Sequence, residues 1–450
     1  MKKSLLKIGA TLMLGCCIAG AAAGCGGGSG SDEITFYHYA VTNALNTRLE
    51  QKLSDFTEST GIKVKHVPVS KDNYNATIST KFTSSKKDMD VLYLDQPLLA
   101  QYANSNLLYK LDDYVTSSAE ESETVADTNT AGFKFNKNAF NESAWATTVY
   151  KNSVYGIPLT INTSVLFYNV TTIKEACGLS TDAEAVEKVE AIKTWDDLKA
   201  FAATVDGLGS GYALFGGMGS GGYMGWYSQC FIGAAGGKLY DDTSKTVLPN
   251  DDGSVTRAFE MMKYMFEKSP ETLYNSTTGF TGTTSSPAGK VLFSLSHSSD
   301  IKDLDVAYTT FGAIPFPGET AEIGSVSNLG GENLVIPQKS VNKDSALKLI
   351  KYLVSEDCMS FFQSCTNNFA AVEKYASIDT FTTDAASPTY KMYSVVKTQL
   401  SSAQVRPVVA GWMQVNDNGI PTHLKAYVEG TKSFDDAIGA IRKYAAQYLK

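Results

Sequence analysis

The division of this chain into regions depends on one stretch, residues 155–169, which has the sequence YGIPLTINTSVLFYN. A polar segment precedes it, residues 116–141, which is rich in Ser, Thr, Glu and Asn and which we interpret as a surface insertion. Apolar and β-branched residues then return in one run, as expected for a β-strand. We predict that this strand carries the chain into a new region of the fold.

The part of the chain before this strand predicts alternating strands and helices. Residues 34–39 are rich in β-branched and aromatic residues, and leucines then recur at helical spacing as far as Gly61. Residues 62–69 alternate again, and a second helical segment, 74–82, precedes the short apolar run 90–95, DVLYLD. This βαβαβ order predicts a doubly wound α/β lobe.

Helical patterns dominate the rest of the chain. Thr194 is a predicted N-cap with Asp197 three residues later. The last helix is expected to bury Phe434, Ile438, Ile441 and Tyr448. No repeat occurs at solenoid periods. The predicted amphipathic helices lie at 194–205, 254–268, 345–362 and 433–449.

The amino-terminal 24 residues have the features of a secretory signal. Lys2, Lys3 and Lys7 precede an uncharged run, residues 8–23, which ends in small residues. The run is shorter than the roughly 20 apolar residues of a spanning helix, and a weak membrane-anchor helix is the alternative. Removal of residues 1–24 takes away three lysines and no acid, which changes the net charge from −8 to −11. An acidic chain of 426 residues is large enough for two lobes and argues against nucleic acid and anionic lipid as partners.

Cys25 stands between this run and a glycine–serine tract. Ala22-Ala23-Gly24 before Cys25 resembles the lipobox of bacterial lipoproteins, in which the signal is cut before a cysteine that then carries a diacylglycerol. Cys16 is a rival site, but cleavage there leaves an apolar stretch on the mature end. Residues 25–33 would then be an acylated cysteine and a flexible linker that hold a soluble body at the outer face of the cell membrane.

Four cysteines follow Cys25 and form no CxxC pair. Cys358 and Cys365 lie seven residues apart on a predicted helix, about 10 Å by rise, which is too far for a disulfide. We interpret the four as buried thiols, with a bridge between Cys177 and Cys230 left open.

The order of several short segments resembles the family 1 extracellular solute-binding proteins of ABC importers, the group that includes maltose-binding protein. Each segment is weak alone, but their order covers nearly the whole mature chain. The segments are ITFYHYA (34–40), TGIKV (60–64), DVLYLDQP (90–97), YGIPLTINTSVLFYN (155–169), TWDDLKAFA (194–202), FIGAAGGKLYDD (231–242), GAIPFPG (312–318), LGGENLVIP (329–337) and DSALKLIKYLVSED (344–357).

The resemblance implies a two-lobed α/β fold of the periplasmic-binding-protein type II, with the ligand cleft between lobes that close around it. Crossings between lobes would fall near 158–160, 315–317 and 369–373, so each lobe is discontinuous in sequence. Lobe 1 would comprise residues 34–159 and 316–372. Lobe 2 would comprise residues 160–315 and the C-terminal helices, 373–450.

A cleft that captures sugars needs aromatic faces for the C–H faces of the rings and carboxylate or amide groups for the hydroxyls. Tyr37, Tyr39 and Asp95 are candidates because they lie at strand ends that face such a crevice. Asn162 follows the first crossing, where the family often places a polar ligand contact. Glu332 after Gly330-Gly331 is a further candidate, and a solvated loop acid is its alternative.

The resemblance also points to aromatic platforms. Trp226 lies ten residues before Gly236-Gly237, where sugar-binding relatives carry a stacking aromatic residue, and Tyr223 would share that role. Trp412 matches a second platform near the chain end, with ordinary lobe core as the alternative for both tryptophans. Relatives often carry a Gly-x-Trp where this chain has His297-Ser298-Ser299, and this departure puts a maltose-like ligand in doubt.

Catalytic and cofactor patterns are few. The sequence contains no GxSxG, HExxH or GxxxxGK[ST], and its four histidines are too widely spaced to suggest a metal site. Gly217, Gly219 and Gly222 match GxGxxG, but a dinucleotide fingerprint should open the first βαβ unit. No cofactor is expected.

We predict a monomeric, lipid-anchored receptor that delivers an oligosaccharide to the permease subunits of an ABC importer. The alternatives are the same fold with a non-sugar solute and a secreted glycoside hydrolase.

Overall fold

A computed structural model of the chain describes residues 33–40, 43–117, 133–207, 212–217, 222–269, 291–305 and 310–449. The predicted signal peptide, Cys25 and its linker, part of the predicted insertion and Gly219 lie outside these residues.

The strands of the described residues include one long strand, β8, and several of only two residues. They are β1 (Glu33–Ala40), β2 (Lys63–Ser70), β3 (Val91–Asp95), β4 (Val115–Thr116), β5 (Phe135–Asn136), β6 (Val149–Tyr150), β7 (Ser153–Val154), β8 (Ile157–Asn169), β9 (Ala213–Gly216), β10 (Tyr240–Asp241), β11 (Thr246–Val247), β12 (Val291–His297), β13 (Phe311–Ile314), β14 (Ser327–Val335), β15 (Phe369–Ala370) and β16 (Ala403–Gln404).

The helices of the described residues follow the strands in the alternation expected of an α/β protein. They are α1 (Asn43–Thr60), α2 (Lys71–Thr83), α3 (Leu98–Asn104), α4 (Glu142–Ala146), α5 (Val170–Ala176), α6 (Asp182–Glu190), α7 (Trp195–Gly207), α8 (Gly222–Ala234), α9 (Ser254–Glu267), α10 (Ile301–Asp305), α11 (Lys343–Leu353), α12 (Glu356–Thr366), α13 (Pro388–Leu400), α14 (Trp412–Gln414), α15 (Ile420–Val428) and α16 (Phe434–Tyr448). A π-helical turn, Val415–Gly419, joins α14 to α15.

A capping interaction explains where α7 begins. At α7, the Thr194 hydroxyl accepts from the Asp197 amide at 3.2 Å, and the Asp197 carboxylate accepts from the Thr194 amide at 2.9 Å. This reciprocal pair is the capping box that the sequence predicted. The stretch 345–362, predicted as one helix, is instead divided between α11 and α12, because Ser355 has an extended backbone (φ −69°, ψ 161°).

The main sheet has the order β2-β1-β3-β14-β8-β12-β9. Strand β1 runs parallel to β2 and β3, which confirms the predicted βαβαβ pattern. Strand β8 has strand partners along nearly its whole length, and residues 160–161 and 166–168 have them on both sides. Its first half pairs with β14 and β15, and its second half pairs with β12 and β13. Strand β8 therefore joins the strands that pair with its first half to those that pair with its second half, as expected of a strand that carries the chain into a new region of the fold.

The buried apolar residues form two clusters. The first draws on residues 34–167, 301–313 and 329–403, and the second on residues 166–316 and 412–445. The last predicted segment, 373–450, thus contributes to both clusters, with 375–403 in the first. The lobe limits stay predictions.

Side chains along β8 alternate between the two clusters. Val165 and Phe167 belong to the first, whereas Leu166 and Tyr168 belong to the second. Successive residues of a strand point to opposite faces, so one strand serves both cores.

Three smaller findings concern cysteines, a tyrosine and membrane spans. Cys177, Cys230, Cys358 and Cys365 are free, so the bridge left open for the first two is not formed. Tyr448, expected to be buried, is 38% exposed because it lies on the last turn of α16. In the described part of the chain, no helix is both long and apolar enough to cross a membrane.

Two buried histidines pack against the aromatic core of the first cluster. The His38 ring centroid lies 5.9 Å from that of His66 and 4.7 Å from that of Tyr93. Neither ring nitrogen of His38 has a hydrogen-bond partner among the described residues. Burial, with a smaller contribution from His66, lowers the pKa of His38 to about 3.

We predict that His38 makes the fold sensitive to acid. The unfolded chain binds this proton near pH 6.5 and the folded chain only near pH 3, so stability is lost as the pH falls through this window. His38→Phe keeps a ring and removes the titration. Between pH 6.5 and pH 5, the free energy of unfolding of the variant should fall by about 2 kcal/mol less than that of wild type, as measured by urea unfolding. His423→Phe, at a half-buried position where burial and Lys432 also lower the histidine pKa, is the comparison and should change the pH dependence less than His38→Phe. Equal pH slopes for His38→Phe and wild type would contradict the prediction.

Candidate functional site

The candidate site is built where β1, β3, β8, β12 and β14 bring polar ends together. Asp95 ends β3 and His297 ends β12. The register places Glu332 of β14 opposite Asp95 on one side and opposite Thr160 of β8 on the other. The sheet therefore assembles side chains that are far apart in sequence.

Glu332 is a buried carboxylate that is held from two sides. The Tyr39 hydroxyl donates to one carboxylate oxygen, and the Thr160 hydroxyl donates to the other. Burial raises the pKa of Glu332, and these two hydrogen bonds and the nearby Lys71 oppose the rise. The expectation of a solvated loop acid is wrong, because Glu332 is only 8% exposed.

Asp95 and Arg406 connect the first cluster to Trp226 in the second. An Arg406 Nη2 nitrogen donates to the Asp95 Oδ1 oxygen at 2.8 Å. The guanidinium carbon of Arg406 lies 4.9 Å from the centre of the Trp226 ring, a cation–π distance. The Trp226 indole N–H donates to the Ser164 hydroxyl on β8 at 3.0 Å. Trp226 is thus fixed in position before any ligand arrives.

An aromatic cluster surrounds His297. Its ring centroid lies 5.2 Å from Trp226, which it stacks on, 5.6 Å from Tyr223 and 5.7 Å from Tyr227. Burial lowers the pKa of His297 to about 3, with help from the charges of Lys71 and Arg406, so the imidazole is neutral at physiological pH. Tyr223 is the outermost member, with 37% of its surface exposed.

Gly330 allows Asn162 and Trp226 to approach each other. Asn162 is its register partner across β8 and β14. A Cβ atom at Gly330 would lie 2.2 Å from the Asn162 amide oxygen and 2.6 Å from the far end of the Trp226 ring. No side chain fits there, which explains the glycine.

Asp417 and Lys71 complete the site, and the sequence interpretation missed both, as it missed Arg406. Asp417 lies in the π-helical turn, a feature that is frequent at functional sites. Burial raises its pKa, and Asp95 adds to the rise. Lys71 begins α2, and its charge acts on both His297 and Glu332. The sequence signal that could have found Lys71 is its position directly after β2, because residues at strand ends face the crevice of an α/β fold.

The structure brings six of the eight predicted ligand contacts together. Tyr39, Asp95, Asn162, Tyr223, Trp226 and Glu332 share the contacts described above. None of these contacts involves Tyr37, which is buried with the Lys81 ammonium 5.6 Å from its ring centre. Trp412 is fully buried in the second cluster. No group of three or more metal-ligating side chains occurs among the residues that the structure describes.

The fold is that of two-lobed substrate-binding proteins. The chain matches the sugar-binding protein MalE of Xanthomonas citri with a TM-score of 0.73, at 18% identity over 92% of this chain and 96% of that one. It matches the cyclic α-maltosyl-1,6-maltose-binding protein of Arthrobacter globiformis with a TM-score of 0.71, at 17% identity over 92% and 98%. It matches the GacH receptor of Streptomyces glaucescens, whose structure is known with acarbose, with a TM-score of 0.67, at 20% identity over 92% and 97%.

The sequence profile of the bacterial extracellular solute-binding proteins matches residues 52–389, more than half of the chain. The chain therefore belongs to this family, and its fold is the two-lobed α/β fold that the resemblance implied. The members of the family are binding proteins, in agreement with the predicted class of function.

We predict that the ionised carboxylate of Glu332 lowers the free energy of unfolding at neutral and alkaline pH. A carboxyl group whose pKa is raised on folding favours the folded state when protonated, so its effect on stability becomes less favourable as the pH rises above about 4.5. The Tm of Glu332→Gln minus that of wild type should therefore increase between pH 4.5 and pH 8. Glu322→Gln is the control, because the pKa of Glu322 is lowered and the difference should have the opposite slope. A flat difference for Glu332→Gln would contradict the prediction.

Proposed function

We propose that this protein is an extracytoplasmic receptor that captures an oligosaccharide between its lobes and delivers it to an ABC importer. The observation that carries the proposal is the aromatic cluster of Tyr223, Trp226, Tyr227 and His297, placed beside charged and amide side chains. Sugar rings need such flat faces for their C–H groups and polar groups for their hydroxyls.

The polar groups suit a neutral, hydroxyl-rich ligand. Asp95 and Arg406 are paired with each other, and the neutral His297 offers one donor and one acceptor. A multiply charged ligand would have to break the ion pair between Asp95 and Arg406. Structurally similar proteins bind acarbose or cyclic α-maltosyl-1,6-maltose, which supports a saccharide as the ligand class.

Closure of the two lobes is the expected mechanism. Tyr39 and Glu332 are held by strands of the first cluster, whereas Tyr223 and Trp226 belong to α8 of the second. A ligand that touches both sets binds best when the lobes are closed, and it shifts the equilibrium toward the closed form. We expect the permease subunits to recognise the closed, monomeric protein through both lobes.

A glycoside hydrolase is the less favoured candidate. Such an enzyme needs one carboxyl group as the acid and a second as the base or nucleophile. Asp95 is paired with Arg406, and both oxygens of Glu332 accept hydrogen bonds from hydroxyl groups of the protein. These engagements favour binding over catalysis. Incubation with each bound oligosaccharide followed by chromatography should return the sugar intact, and release of shorter products would contradict the receptor proposal.

A thermal-shift screen of the mature protein against mono- and oligosaccharides tests the proposed function. At least one oligosaccharide should raise the Tm in a concentration-dependent way, because ligand binding to the folded state stabilises it. If no sugar raises the Tm while a polyamine, peptide or phosphate ester does, the non-sugar alternative is correct.

Tyr223 provides a sharper test of the site. Tyr223→Ala should weaken the binding of the oligosaccharide found in the screen about tenfold, as measured by calorimetry, because it removes an exposed stacking face. Tyr448→Ala is the matched control, since the two tyrosines have similar exposures of 37% and 38% and the Tyr448 ring packs on Tyr444 of α16 rather than on the aromatic cluster. Equal affinities of the two variants would place the ligand elsewhere.

Lipid anchoring at Cys25 is proposed from the sequence alone. Cys25→Ala should abolish incorporation of a labelled fatty acid and move the protein from the membrane fraction to the soluble fraction, because the thiol is the attachment point. Cys16→Ala should keep both properties. Loss of labelling in Cys16→Ala and not in Cys25→Ala would identify the rival site.

A further inference from the structure

A crevice of about 1060 Å³ lies between two short β-hairpins. One wall is the β6–β7 hairpin with Tyr150 and Lys151, and the other is the segment that leads into the β10–β11 hairpin, with Lys238 and Tyr240. The chain from 404 to 409 lines the remaining side. The volume is in the range of small-molecule binding sites.

The crevice shares one residue, Arg406, with the candidate sugar site, and its other lining residues are not among those described for that site. The two walls come from different parts of the fold, since Tyr150 belongs to the first apolar cluster and Leu239 to the second. A ligand in the crevice would therefore bridge the two clusters without entering the sugar site.

Positive charge dominates the lining. Four cationic residues face one acid, Asp242, and they are Lys151, Lys238, Lys245 and Arg406. Arg406 is paired with Asp95. Lys245 lies 3.7 Å from Asp242, but both side chains are at least two-thirds exposed and such pairs are weak.

Two of the lysines lack an acidic partner. Among the described residues, no carboxylate lies within ion-pair distance of Lys151 or Lys238. Lys151 donates to the neutral amide oxygen of Asn104 at 3.0 Å. The field of Lys238 reaches Asp241, whose carboxylate already accepts from the backbone amides of Thr243 and Ser244. The crevice thus presents uncompensated positive charge from both walls.

The turns of both hairpins place a lysine in an unfavourable backbone conformation. Lys151 has φ +48° and Lys245 has φ +55°, in the left-handed region that favours glycine or asparagine. Asn152, which follows Lys151, is of the usual type for such a turn. A lysine at each turn costs stability, and this cost is consistent with a use for the charges.

We propose that this crevice binds a small multivalent anion that carries phosphate or carboxylate groups. One negative group would approach Lys151 on the first wall, and another would approach Lys238 and Lys245 on the second. A monovalent anion compensates only one wall, so the arrangement selects for at least two negative charges. Because exposed lysines are mobile point charges, the site selects charge and spacing rather than a planar bidentate group.

The test measures binding of pyrophosphate and of citrate to the mature protein by calorimetry, at constant ionic strength maintained with sodium chloride. We expect saturable binding of at least one of them with one site per chain. The two arms distinguish phosphate from carboxylate chemistry. Heats equal to those of dilution for both anions would overturn the proposal.

The variant pair Lys151→Gln with Lys238→Gln should weaken this binding at least tenfold. Lys63→Gln with Lys65→Gln is the matched control, because it removes two exposed charges from β2, away from the crevice. Equal weakening by both pairs would indicate only the net charge and would overturn the proposal. Oligosaccharide binding is measured on the same proteins and should be unchanged. A failure of the sugar screen is therefore distinguishable from a failure of the anion site.

Discussion

The structure depends on one strand that two hydrophobic cores share. Strand β8 is hydrogen-bonded on both sides, and its alternating side chains enter different cores. A shift of one residue in its register would exchange Val165 and Phe167 with Leu166 and Tyr168 and would disturb both cores. The same register sets Thr160 and Asn162 opposite Glu332 and Gly330, so the packing of the cores also positions the candidate site.

The candidate site is polar, and many of its polar groups are hydrogen-bonded or ion-paired to one another. Hydroxyl groups hold Glu332, and Asp95 holds Arg406, which in turn lies against Trp226. Buried charges of this kind add little net stability, but they fix side chains in one geometry. A ligand therefore meets donors and acceptors that are already oriented, and binding costs less side-chain entropy than in a flexible site.

The local sequence pattern predicted the α/β class and the first βαβαβ unit, and the resemblance to the solute-binding family predicted the two-lobed fold. Strand ends are local features, which is why the pattern pointed to Tyr39 and Asp95. The resemblance, and not the pattern, pointed to Asn162 and Trp226. The burial of Trp412 and the roles of Arg406 and Asp417 depend on partners far away in sequence. Arg406, for example, is defined by Asp95, which lies more than 300 residues earlier. No periodicity encodes such a contact.

The segment His297-Ser298-Ser299 stands where relatives often carry Gly-x-Trp, so the tryptophan of that pattern corresponds to Ser299. The flat face that this segment supplies is the imidazole of His297, which is smaller than an indole and carries two nitrogen atoms. The ring still stacks on Trp226, so the aromatic cluster remains continuous. Burial, with help from the charges of Lys71 and Arg406, disfavours its protonated form, and the ring keeps one donor and one acceptor instead of two donors. A sugar hydroxyl group can donate to one imidazole nitrogen or accept from the other, whereas a cationic group can only donate. Under the proposed function, the missing indole would remove one stacking face, and the neutral His297 would offer a donor and an acceptor that suit sugar hydroxyl groups.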